Sequence, residues 1–172
     1  MATFIIGLFL VMALALLLVY VQYKFLKAKK MKQFLYLSEQ GTKNDLRFSS
    51  QEVIGDKIIA LDGRKRMLLL LEERDGRKLH HTIDLEEVES CTLKKIYSRI
   101  NAGELKRKKM EEFISTIALQ FDFKNKKQLP VQLNFYDRDL NYIAELKPLE
   151  AKARGWQAVL SKLLTGQEKK IA

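Results

Sequence analysis

Chemistry-bearing residues are scarce in this chain. It holds one cysteine and two histidines in 172 residues. A lone Cys91 excludes an intrachain disulfide and suits a reducing compartment. With no metal-ligand spacing around it, Cys91 reads as a small core residue rather than a nucleophile. His80 and His81 are adjacent, and neighbours on a strand point to opposite faces, so they do not share a metal or act as a pair. One is expected to be exposed and the other half-buried. No phosphate-cradling glycine loop, zinc spacing or nucleophile elbow occurs. Asp137 and Asp139 offer two carboxylates to a cation, but with Arg138 between them they read as a turn. Catalysis, a metal and a cofactor are therefore not expected. Two prolines and eight glycines argue against a long disordered linker.

Charge is missing from Ala2 to Val21, which reads ATFIIGLFLVMALALLLVYV. As a helix such a run rises about 30 Å, the thickness of a bilayer core. Leu, Ile, Phe and Val each favour insertion by about 0.3–0.6 kcal/mol at the helix centre. Tyr20 and Tyr23 stand where amphipathic rings settle at headgroup level. A cleaved signal peptide would need a positive start, a shorter apolar run and small residues at a cleavage site. The run is apolar on every face, unlike an ordinary core helix. The expectation is a transmembrane helix over 1–23. Lys24, Lys27, Lys29, Lys30 and Lys32 follow it, and the positive-inside rule places them, with everything after, in the cytoplasm and the N-terminus outside. These lysines also lie where anionic headgroups would be, as membrane contacts. Residues 24–45 read as a basic juxtamembrane stalk, with the anchor helix expected to continue over 24–40.

Residues 46–166 read as one folded domain, followed by a tail over 167–172. The formal net charge of +10 is uneven, with half of it in the collar and most of the rest between Arg99 and Lys109. Asp62-Gly63 and Asp75-Gly76 are hairpin signals between strands over 58–61, 67–71 and 78–83. The four leucines Leu68 to Leu71 read as a strand buried on both faces. A further strand is expected over 91–97. Ile117, Leu119, Phe121 and Phe123 alternate with polar or small residues, as do Val131, Leu133 and Phe135. The last element is an amphipathic helix from Pro148 to Gly166. Its stripe is Leu149, Ala153, Trp156, Val159, Leu160, Leu163 and Leu164, with Trp156 as core anchor.

About seven strands and one terminal helix resemble, in element order, in hairpin signals and in Trp156 on the final helix, the pleckstrin-homology-like superfold. The chain also resembles small bacterial domains of unknown function on a single N-terminal anchor. The expected fold class is α+β: a transmembrane helix, then an antiparallel β-sandwich or barrel capped by the C-terminal helix. The resemblance implies binding and seldom catalysis, and fold does not fix function. The function expected is a non-catalytic, membrane-anchored adaptor that recruits a cytoplasmic protein or peptide. The alternative is a structural subunit of an envelope assembly that contacts partners through its transmembrane helix. Lys106, Arg107, Lys108 and Lys109 are expected in a flexible loop within reach of anionic lipid. Nucleic acid is not an expected partner, because aromatic platforms and a broad basic face are lacking.

Overall fold

A computed structural model describes residues 2–74, 77–100, 102–107 and 109–168, excepting the side chains of 2–11, 13, 26, 29, 74, 77, 102, 104 and 166–168. The chain forms two compact units, Met1–Leu46 and Arg47–Ala172.

The first unit is one helix, α1, Ala2–Lys43. It does not stop at the lysines. Lysine is a good helix former and no proline interrupts the segment, so the helix continues through Lys24, Lys27, Lys30 and Lys32. It ends where Asp45 turns left-handed at φ 50°. Leu46 N–H then bonds the Gly41 carbonyl at 2.8 Å and Asp45 N–H that of Thr42 at 3.2 Å. This paired closure satisfies carbonyls that the last turn would otherwise leave open.

The expected single-pass anchor is corrected here. Among the described residues no helix is long and apolar enough to cross a membrane. The side chains of 2–11, half of the expected span, lie outside the described set. The described apolar part, Met12 to Tyr23, rises only about 18 Å against a core of about 30 Å. The outside-to-cytoplasm orientation, and the location read from it, fall with the anchor. The positive-inside rule orients a spanning helix, and the described residues contain none.

The second unit is α+β. A four-stranded antiparallel sheet has the order β1 (Ser50–Ile54), β2 (Lys57–Asp62), β3 (Met67–Arg74), β4 (Arg77–Asp84). A three-stranded one has the order β5 (Val88–Tyr97), β6 (Ile114–Phe123), β7 (Val131–Asp137). A single turn of helix, α2 (Ala102–Leu105), lies between β5 and β6, and α3 (Leu146–Glu168) closes the described chain. Two antiparallel sheets with helices thus stand in place of the expected transmembrane helix plus sandwich or barrel.

The β2–β3 turn shows how local chemistry sets the register. Asp62, only 2% exposed, accepts N–H bonds from Arg47 at 2.7 Å and from Arg64 and Lys65 at 2.9 Å each. Burial pushes this carboxyl up, but the three N–H donors and the Lys65 ammonium outweigh it and hold its pKa below the ordinary aspartate value. At Gly63 a Cβ would meet Ser49 Oγ at 3.1 Å, the atom that accepts the Gly63 N–H. The β1–β2 turn, which the sequence reading did not mark, passes through Gly55 at φ +63°. Leu68 to Leu71 are buried on both faces of β3. His80 and His81 are both exposed, which corrects the expectation that one would be half-buried.

Both sheets and α3 contribute to one core. Leu146, Ala153, Trp156 and Leu160 of α3 are buried in it, whereas Val159 turns out at 44% exposure and leaves the expected stripe. Trp156 donates its indole N–H to Glu52 of β1 at 2.7 Å, and Lys152 pairs with the same carboxylate. Glu150 binds Lys95 of β5 at 2.8 Å and Arg154 one turn on at 2.7 Å. Burial raises the Glu150 pKa less than these two cations lower it. The Arg66 guanidinium donates to the Leu163 carbonyl. Helix α3 is thereby fastened to both sheets. Cys91 is buried in the same core, where desolvation, then the Asp122 charge, push its thiol up to about 12. A thiol so poised is inert at neutral pH.

Candidate binding cleft

The β5–β6 connection and the segment from β7 to α3 meet at one end of the three-stranded sheet. The segment after β5 is tied to the start of β6, where Ser98 N–H and Oγ both donate to the Phe113 carbonyl at 2.8 and 3.1 Å. The segment after β7 folds on itself. Asn141 N–H donates to the Asp137 carbonyl at 2.8 Å, and Asp137 N–H to Asn141 Oδ1 at 3.0 Å. Tyr142 N–H then donates to Glu145 Oε2 at 2.9 Å, which sets the turn into α3. Arg138 N–H bonds the Ser115 carbonyl at 2.9 Å and locks the second segment to β6.

Between these walls lies a cleft of about 630 Å³, lined among others by Ser98, Arg99, Glu112, Tyr136, Arg138 and Tyr142. The Arg99 and Arg138 guanidiniums have no hydrogen bond or ion pair among the described residues. Tyr136 is only 1% exposed, yet its hydroxyl has no partner among the described residues and is not one of the polar atoms sealed from solvent. Its burial follows from a bulge. Ile117 pairs with Tyr136 but Ala118 pairs with Asn134, so Phe135 is the extra residue and both aromatic rings enter the core. At the rim Tyr142 is 82% and Ile143 56% exposed.

Two further polar side chains of the cleft are engaged. Glu112 Oε1 accepts Lys109 N–H at 3.1 Å, and Ser98 spends its hydroxyl proton on Phe113. A second cleft, of about 300 Å³ beside the β1–β2 turn, is less suited to a ligand. There Asp137 accepts Asp139 N–H, Glu145 accepts Tyr142 N–H, and Lys57 lies 3.7 Å from Glu72. Asp137 and Asp139 thus form the turn that their spacing suggested. No group of metal-ligating side chains occurs among the described residues.

The basic residues singled out from sequence fall elsewhere. Lys24, Lys27, Lys30 and Lys32 are exposed on α1, spread over a little more than half of the helix circumference rather than along one narrow stripe. The Lys24 ammonium sits 5.2 Å from the Tyr20 ring centre, within cation–π range. Lys106, Arg107 and Lys109 are exposed on the β5–β6 connection, which supplies a wall of the cleft that they do not themselves line. Lys108 and the side chain of Lys29 lie outside the described residues. Arg99 and Tyr136 were not marked as site residues in the sequence, and Arg138 was read only as part of a turn. No local motif links positions so far apart in the chain. The chain matches no protein-family model, no curated protein and no solved structure.

Proposed function

We propose that the second unit is a non-catalytic binding module that recruits an acidic polypeptide segment through the cleft at the end of the three-stranded sheet. The observation that carries this reading is the pair of uncommitted guanidiniums, Arg99 and Arg138, among the residues that line one cleft. An arginine fork matches carboxylate and phosphate geometry and loses little freedom on pairing. Tyr142 and Ile143 supply an apolar rim against which a peptide side chain can be desolvated.

The test uses the full chain and immobilised degenerate peptides, one pool acidic and one basic. The acidic pool retains the protein, and Arg99→Gln with Arg138→Gln abolishes retention. Equal retention on both pools, or retention indifferent to the two arginines, overturns the proposal.

A further inference from the structure

We infer that the anchoring group of the ligand is a phosphate monoester on a polypeptide side chain, an inference that rests on the peptide-binding reading above. The donors decide it. A carboxylate carries one negative charge, which the fork of a single guanidinium neutralises. This cleft offers two guanidiniums, and the Tyr136 hydroxyl as a third free donor. A phosphate monoester presents three terminal oxygens in three directions and carries about −1.5 to −2 charges at neutral pH. Its charge matches that of the two guanidiniums, where the single charge of a carboxylate leaves one of them uncompensated. Glu112, the one carboxylate among the residues lining this cleft, repels either anion, but the two guanidiniums outnumber it, and the net positive field acts more strongly on a dianion.

The surroundings favour a peptide over a bilayer. Glu111, paired with Lys147 at 3.7 Å, and the exposed Asp139 sit on the same two segments as Arg99, Arg138 and the basic run. A mixed-charge rim gives a flat anionic surface little net attraction, because its charges meet both signs. A single dianion that enters the cleft meets the arginines first. Tyr136 could not be spared for this purpose elsewhere: its ring is core, so its hydroxyl is held in place without further hydrogen bonds.

The experiment measures binding of the full chain to degenerate peptide pools that differ only in a fixed central residue: phosphoserine, phosphotyrosine, glutamate or serine. Inorganic phosphate and phosphatidylserine vesicles are run beside them. The inference requires at least one phosphorylated pool to bind about tenfold tighter than the serine and glutamate pools. Arg99→Gln and Arg138→Gln each erase that preference, and Tyr136→Phe weakens it while leaving the fold intact. Unchanged thermal unfolding of the two arginine variants, both altered at exposed positions, shows that the loss is one of binding. If the glutamate pool binds as tightly as the phosphorylated pools, the phosphate inference fails and the acidic-peptide reading stands. If no pool binds, both fail, and arginine-dependent vesicle binding would then assign the cleft to a lipid surface. Phosphate that competes as well at equal concentration as the phosphopeptides also overturns the inference, since the peptide then contributes nothing.

Discussion

Replacing Trp156 with alanine removes the largest side chain that α3 places in the core. Trp156 is 7% exposed, flanked by Ala153 and Leu160, which are fully buried on the same stripe. Truncations of buried tryptophan to alanine cost about 3–5 kcal/mol through lost transfer energy and the cavity left behind. A further loss comes from Glu52, whose Oε2 gives up the indole N–H at 2.7 Å. Lys152 still pairs with that carboxylate, whose side chain is 29% exposed, so this part is at the low end of the roughly 1.5–3 kcal/mol typical of charged hydrogen bonds. Domains of this size are stable by about 5–15 kcal/mol, so the alanine variant loses a large share of the total. Trp156→Phe keeps a packed ring and loses the N–H, and it separates the two contributions. Urea unfolding followed by far-ultraviolet circular dichroism is the assay, because the variants lack the only tryptophan. The expected order of midpoints is wild type, then Trp156→Phe, then Trp156→Ala well below both. A Trp156→Ala unfolding free energy within about 0.5 kcal/mol of wild type, the range of neutral surface changes, would refute the packing of α3 described here.

Asp62 gives a pH signature. Its folded pKa is depressed, so the unfolded chain binds the proton more readily, and the contribution to stability is present above the unfolded pKa of about 3.9 and is lost as pH falls through the folded value. Asp62→Asn should lower stability at neutral pH by about 1.5–3 kcal/mol and remove that part of the acid slope in urea titrations; an unchanged slope would show that the turn does not depend on the charge. Gly155 lies in α3 with nothing within 4 Å of where a Cβ would stand. Gly155→Ala should therefore raise the unfolding free energy by about 0.5–1 kcal/mol, and a fall would mean that the helix surface there is covered.

Much of the second unit is legible in the amino-acid order because its signals are local. In β6 and β7 one face alternates, and a period of two is enough to mark a strand without knowing its partner. In α3 the three-and-four spacing around Trp156 marks the buried side, although Val159 sits at the edge of that stripe and ended outside it. Four leucines bounded by turns mark β3 as buried on both faces. Strand β1, SQEVI, carries only two buried or half-buried apolar residues at its end and a polar start, so its periodicity is too weak to read. The apolar run at the N-terminus suggested a membrane span continued by a helical stalk; α1 does run on through the lysines, but no helix among the described residues is long and apolar enough to cross a membrane.

What only the tertiary structure decided is which strands share a sheet and which distant residues meet. Strand pairing is set by long-range complementarity, so the break after β4 that divides seven strands into sheets of four and three leaves no mark in the periodicity. The bulge at Phe135 depends on the register against β6, and it is what buries Tyr136 and leaves its hydroxyl at the cleft. Arg99 and Arg138 stand on different connections, and folding alone brings them to one wall-to-wall opening. Residue type determined the local elements, because backbone preference and side-chain period act over a few residues. The cleft arises from how those elements close on one another, and the physical cause of that is the shared core beneath it.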